Sequence, residues 1–212
     1  KHFVTSNKEL IAKHGRDLIR EARKSGVFVL YEGSVCGGIP ILHALRQSLS
    51  ANRIEEVSGI VNGTTNYILT KMTNEGLSFN EALKQAQAKG YAEADPTMDI
   101  DGSDAAYKAA ILASIIGGSF INVKDIYKEG ITGISSDDIE YAKEIGYVIK
   151  LLAIIKLENG KLEVRVHPTL IERSHPLAKV ADNFNAVFVK GNALGKSMFY
   201  GQGAGGMPTA SA

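Results

Sequence analysis

The sequence predicts an α+β protein, and three observations carry the prediction. Helical periodicities fill most of residues 40 to 145, antiparallel strand signals cluster after residue 147, and a strand–helix–strand unit stands alone in front of both. In that leading unit, Phe3-Val4-Thr5 ends a strand. Lys8 to Ser25 repeats Leu10, Ile11, Leu18, Ile19 and Ala22 at helical spacing around a break at Gly15. Val27 to Tyr31 is apolar without alternation, as in a parallel strand covered on both faces. A lone unit of this kind cannot cover its own sheet. With Lys1 in place of an initiator methionine, the reading is a piece of a longer chain whose missing part lies upstream.

Glu32 to Ile39 is a glycine-rich loop, and the change of composition there puts a domain boundary near Gly33. Pro40 suits the first turn of a helix reaching about Ser50. Ile54 to Val61 reads as a strand ending at Asn62-Gly63, after which Thr64 or Thr65 caps a helix from Asn66 to Thr73. Ser78 and Glu81 form a capping box for a helix that stops at Gly90. Asp104 starts the next helix, whose residues Ala105 to Ile116 are apolar nearly all round and so predict burial. Ser135 to Asp138 caps one more, ending near Ile145. Asn159-Gly160 between Tyr147–Leu157 and Lys161–Val166 predicts a type I′ hairpin, and Ala186–Lys190 and Ser197–Tyr200 add strands beyond it.

Hydrophobic residues make up 44% of the chain and charged ones 22%, enough apolar material for a core and too much for general disorder. The 24 Lys and Arg against 23 Asp and Glu leave a net charge of +1. The basic residues are scattered, so no stripe suggests nucleic acid or an anionic membrane as partner. No apolar run reaches the roughly 18 residues of a membrane helix; the longest candidate, Tyr147 to Leu157, is interrupted by Lys150 and Lys156. A single cysteine, Cys36, excludes an internal disulfide and suits a reducing compartment, so the expected location is cytoplasmic.

Chemistry-bearing residues concentrate between Gly90 and Lys108. Glu93, Asp95, Asp99, Asp101 and Asp104 place five carboxylates in twelve residues, in a loop stiffened by Pro96 and Gly102. Such a loop is either a solvated acidic surface or a grip for a cation or an amino group. An EF-hand is excluded, because with Gly102 in sixth position Thr97 falls first and Lys108 twelfth. Asp104 and Lys108 share one helical face. On a surface that is an ordinary ion pair; in a buried helix it makes Lys108 a general acid held charged by its neighbour. Lys8 follows a strand end, where α/β sheets place functional groups. Gly33, Gly37 and Gly38 allow their loop either to turn carbonyls inward on a monovalent cation or simply to pack tightly. Gly201, Gly203 and Gly206 spell a dinucleotide fingerprint that fails, since no helix, second strand or ribose-binding acid follows within the remaining residues. The five histidines show no metal spacing.

Taken together, Asn7-Lys8, Glu32-x-x-Val35-x-Gly37-Gly38-Ile39-Pro40, Gly63-Thr64-Thr65-Asn66-Tyr67, Gly90 to Pro96, Asp99-x-Asp101-Gly102-x-Asp104-Ala105-Ala106-x-Lys108 and Gly203-Ala204-Gly205 resemble the homoserine dehydrogenase family. The resemblance spans nearly the whole chain, and the Gly90 to Lys108 block is its most specific part. It implies a mixed, largely antiparallel sheet covered by helices. Residues 1–32 would be the end of a Rossmann nucleotide domain, 33–200 a catalytic and dimerisation domain, and 201–212 a glycine-rich segment returning toward the nucleotide domain. The implied reaction is the NAD(P)-dependent interconversion of L-aspartate 4-semialdehyde and L-homoserine, on the route to threonine and methionine, by a homodimer.

Carried over residue by residue, the resemblance makes Lys108 the proton donor and Lys8 a second lysine near nicotinamide and substrate. Glu93 and Asp104 would hold homoserine, and Gly205 would approach the cofactor. The carbonyls of Glu32, Val35, Gly37 and Ile39 would bind a sodium ion. The main departure is Cys36, where a glycine is usual. Two alternatives stand beside this reading: a substrate-binding and dimerising module without activity of its own, and a dehydrogenase of another small amino-acid carbonyl.

Overall fold

A computed structural model describes all residues, Lys1–Ala212. The leading unit is β1 (Phe3–Val4), α1 (Lys8–Lys24) and β2 (Val29–Leu30), with the two short strands paired parallel. Asn7 caps α1 by accepting the Leu10 amide at 2.9 Å. The predicted break at Gly15 is absent. One glycine costs a helix about 1 kcal/mol, less than the burial of Ile11, Ala12 and Ala22 on the same helix returns.

The sequence predicts a regular helix from Pro40 to about Ser50; the structure instead has one turn, α2 (Ile41–His43), followed by a π turn, Ala44–Ser48, closed by the Leu49 amide on the Ala44 carbonyl. Apolar spacing fixes a buried face and does not distinguish bonding to the fourth residue from bonding to the fifth. After β3 (Ile54–Ile60), α3 (Gly63–Glu75) begins three residues earlier than predicted. Its cap is Asn62, which accepts the Thr65 amide at 2.8 Å, and neither Thr64 nor Thr65. The Ser78–Glu81 capping box opens α4 (Phe79–Ala88) as predicted. The acidic loop contains an unpredicted single turn, α5 (Thr97–Ile100), ahead of α6 (Ser103–Ile116).

The remaining elements are β4 (Tyr127–Lys128), α7 (Ser136–Glu144), β5 (Tyr147–Glu158), β6 (Lys161–Glu172), β7 (Phe184–Gly191), β8 (Gly195–Gln202) and α8 (Gly206–Ala210). The six-stranded sheet runs β4-β6-β5-β3-β7-β8 and is antiparallel except for β4 against β6. Asn159 and Gly160 both take positive φ, 51° and 75°, as the predicted hairpin turn requires. The chain is therefore α+β, as expected, with β1 and β2 forming a separate small sheet.

The helices pack on one face of the main sheet. Leu112 of α6 and Ile68 and Leu69 of α3 are fully buried in one cluster with Val57, Ile155 and Val187. The alternate residues of the same strands, Ile60, Leu152, Ile154 and Phe188, point to the other face and form a smaller cluster under Leu177 and Val180. No helix is long and apolar enough to cross a membrane.

Candidate active site

The site forms where the amino-terminal ends of three helices meet. At the start of α6, Gly102 takes φ 82°, and a Cβ there would press to 3.2 Å from the Glu129 carbonyl. Glycine relieves both constraints and sets the next residues into the first turn. Asp104 thereby lies in the positive end of the α6 dipole, one helical turn below Lys108.

The Lys108 ammonium donates to Asp104 Oδ2 at 2.7 Å and to the Val61 carbonyl at 2.7 Å. The Lys8 ammonium, from the first turn of α1, lies 2.8 Å from Asp104 Oδ1. The Asn62 amide spans two carboxylates, donating to Asp104 Oδ2 at 2.9 Å and to Asp99 Oδ1 at 2.7 Å. Asp104 is 4% exposed and Lys108 9%, whereas the side chain of Lys8 is 39% exposed.

Burial by itself would drive Lys108 toward the neutral amine. The Asp104 carboxylate outweighs it, and the Lys108 pKa stands above its ordinary value. Burial likewise works to protonate Asp104, and the Lys108 and Lys8 ammonium groups reverse it, holding the carboxyl far below the usual range. Asp99 goes the other way: burial raises its pKa, with Asn62 only partly compensating. At neutral pH the pair is a buried ammonium on a buried carboxylate, with one N–H of Lys108 not engaged by the protein.

Glu93 is exposed, and its carboxylate makes no hydrogen bond or ion pair within the chain. Its loop is fixed by Gln87, which donates to the Glu93 and Ala94 carbonyls, and by the Thr64 hydroxyl on the Tyr91 carbonyl. Gly205, with φ 116°, lies on a cavity of about 590 Å³ that also touches Thr5 and Ser6 after β1 and Glu32 and Gly33 after β2. That is the carboxyl end of a parallel strand pair, the usual place for a ligand in such folds.

A family model described as homoserine dehydrogenase matches residues 40–212. The chain belongs to the homoserine dehydrogenase family. The homoserine dehydrogenase of Synechocystis is 54% identical across the whole chain, and that of Bacillus subtilis 50%. The chain spans about half the length of the curated relatives it matches, 50% and 49% for these two. Among solved structures, a homoserine dehydrogenase from Thiobacillus denitrificans superposes with a TM-score of 0.97 at 50% identity, over all of this chain and 49% of that one. A hyperthermophilic archaeal homoserine dehydrogenase in complex with NADPH gives 0.83 at 32% identity, over 98% of this chain and 60% of that one.

Of the residues that the resemblance to homoserine dehydrogenase singles out, the fold joins Lys8, Asp104 and Lys108 in one cluster and places Glu93 on a separate exposed loop. Glu32, Val35, Gly37 and Ile39 lie on one bent loop, where Cys36 and Gly37 take consecutive positive φ values of 58° and 48°. The Glu32 and Ile39 carbonyls accept the Val35 and Ile41 amides, while those of Val35 and Gly37 accept nothing from the protein. Hard carbonyl oxygens without donors fit a sodium ion. The Glu32 carboxylate is already committed, accepting the Leu42 and His43 amides at 2.8 Å each.

Sequence reasoning missed Asn62 and Asp99 in the Lys8–Asp104–Lys108 cluster and the buried Asn185 apart from it. Asn62 reads from the sequence only as a strand end, Asp99 as one acid among five, and Asn185 falls just before the predicted Ala186–Lys190 strand. Asn185 is 1% exposed, and its Oδ1 has no partner. Gly203 packs directly on it, since a Cβ there would fall 2.1 Å from the Asn185 amide. The signal for Asn62 was available, because an asparagine before a glycine suits a helix cap as well as a turn.

Proposed function

We propose that this chain is the catalytic and dimerisation part of an NAD(P)-dependent homoserine dehydrogenase, interconverting L-aspartate 4-semialdehyde and L-homoserine. The observation that carries the reading is the buried Asp104–Lys108 pair joined by the partly exposed Lys8 after β1. Residues 1–32 are the end of the nucleotide-binding domain, 33–200 the catalytic and dimerisation domain, and 201–212 the glycine-rich segment that returns toward the nucleotide-binding domain. Gly205 and Thr209 sharing one cavity wall with Val4, Thr5, Ser6 and Leu30 supports that last assignment.

When bound, the reduced nicotinamide supplies hydride to the aldehyde carbon. Lys108 is the proton donor: its free N–H points a charge-assisted bond at the carbonyl oxygen, strengthens as that oxygen becomes alkoxide, and transfers the proton to give the alcohol. In the oxidative direction the proton returns to Lys108. Asp104 accepts three donors from the protein, leaving one of a carboxylate's roughly four acceptor directions for the substrate ammonium. Glu93, unpaired on its loop, supplies the second carboxylate for that ammonium. Lys8 neutralises Asp104 and, being half exposed, faces the cofactor side with Gly205. The carbonyls of Val35 and Gly37, with those of Glu32 and Ile39, would hold a sodium ion, whose charge would fix the orientation of these carbonyls.

The dimer forms through the sheet face opposite the helices. Met198 and Tyr200 pair across β7 with Phe188 and Ala186, share that face, and are exposed. We assign the protein to the cytoplasm, a reading supported by its single, free Cys36.

The test is homoserine-dependent reduction of NAD and NADP by the chain joined to a nucleotide-binding segment, run beside Lys108→Ala and beside the chain alone. Activity in the first and loss in the other two is expected. A joined protein that binds cofactor and oxidises a different amino alcohol would overturn the substrate assignment.

A further inference from the structure

A cavity of about 650 Å³ lies between the helices that present Lys8 and Lys108, α1 and α6. Its apolar wall includes Ile111 and Ile115 of α6 and Phe120 beyond it. The facing wall is cationic: Arg16, Arg20, Arg23 and Lys24 come from α1, and Arg46 from the π turn. No carboxylate lines the cavity.

These five charges are unequally compensated. Arg20 pairs with Asp17 at 2.9 Å, and Lys24 pairs with Glu21 at 3.0 Å. Arg16, Arg23 and Arg46 have no carboxylate within ion-pair distance. Arg46 is fixed instead by the buried Tyr31, lying 4.6 Å from its ring centroid and bonded to its hydroxyl. A guanidinium held against an aromatic ring keeps its charge and fork of donors directed while offering no anion of its own. Ser114 is not available as a donor, because its hydroxyl already serves the Ala110 carbonyl and the Ile121 amide. The wall therefore carries three uncompensated guanidinium groups opposite an apolar surface, in a volume typical of small-molecule sites.

We propose that this cleft between α1 and α6 binds a small organic anion carrying at least two negative charges on an apolar body. Guanidinium groups take carboxylate, phosphate or sulfonate oxygens in paired hydrogen bonds, and the isoleucine and phenylalanine wall takes the body. No carboxylate, histidine or cysteine lines the cleft, so we assign it binding and not a second reaction centre. The assignment is independent of the chemistry at Lys108.

The test titrates the 212-residue chain with bis-anilinonaphthalene sulfonate, two sulfonates on an aromatic body, followed by fluorescence. One equivalent binds saturably. The double variant Arg16→Ser, Arg23→Ser loses affinity by about tenfold or more, the scale of removing charge-assisted bonds. Arg53→Ser, on a different surface, leaves it unchanged. Both arginines are exposed, and unchanged thermal melting of the double variant shows that the fold survives. Amide shifts on dye binding gather at Gly118 and Ser119. Equal affinity in the double variant, or shifts centred instead on the exposed apolar Val4 and Phe28, would overturn the proposal.

Discussion

Asp104 and Lys108 are joined twice, by the four-residue spacing that stacks them on one face of α6 and by a 2.7 Å ion pair inside the core. The second link is what holds a lysine charged where solvent cannot.

Asp104→Asn leaves the Lys108 ammonium buried with no carboxylate in contact. Loss of one partner of a buried pair costs about 3 to 5 kcal/mol, so the urea midpoint of the chain falls steeply. The pH dependence follows the same pair. The folded Asp104 pKa lies below its unfolded value, so its contribution is complete above the ordinary aspartate pKa and drains away as pH falls. The folded Lys108 pKa lies above its unfolded value, so its contribution is complete at lower pH and is lost as pH rises past the ordinary lysine pKa. Subtracting the stability profile of an Asp104→Asn, Lys108→Met variant from that of the parent chain should show losses at both extremes.

Lys150 carries the opposite sign. It is 5% exposed and donates to the Asn66 side-chain oxygen at 2.8 Å and to the Val180 carbonyl at 2.7 Å, with no carboxylate in contact. Burial lowers its pKa to about 8. Between that value and the ordinary 10.5 the unfolded chain binds more protons, so stability rises with pH by roughly 3 kcal/mol across the window. Lys150→Met should flatten that rise; an unchanged slope would mean that Lys150 is not its source.

Cys36 should be inert. Burial pushes its thiol up to about 11, only partly offset by the Lys108 ammonium, and the side chain is wholly enclosed. Iodoacetamide at pH 8 is expected to label the chain only after denaturation, as read by mass spectrometry.

Gly203→Ala forces a Cβ into the space of the Asn185 amide. With Asn185 buried against it, the expected penalty is about 1 to 3 kcal/mol, seen as a lower melting temperature. Adding Asn185→Ala should recover part of the loss, because the obstructing group is then gone.

Much of this was legible in the residues themselves. Asn159-Gly160, the Ser78–Glu81 box and the apolar run after Asp104 each encode local geometry, and each formed as read. The π turn after Pro40 and the one-turn helix at Thr97 were not legible, because apolar spacing marks a face and not a hydrogen-bonding pattern. In the site, the spacing of Asp104 and Lys108 announced their pairing. The arrival of Lys8 on the other oxygen, and of Asn62 beneath both, depends on contacts between distant segments that no local pattern records.

The central position of β3 also dictates the order of events when the chain is made. Its two neighbours, β5 and β7, are the first strand of the late hairpin and the strand after it, so Ile60 leaves the ribosome long before the residues that cover it, Leu152 to Phe188. Closing loops of that length is slow, and a core of distant pairings assembles late. Until those strands follow, the pairing edges of β3 have no partner, and a holding chaperone that binds extended apolar segments would shield it in that interval.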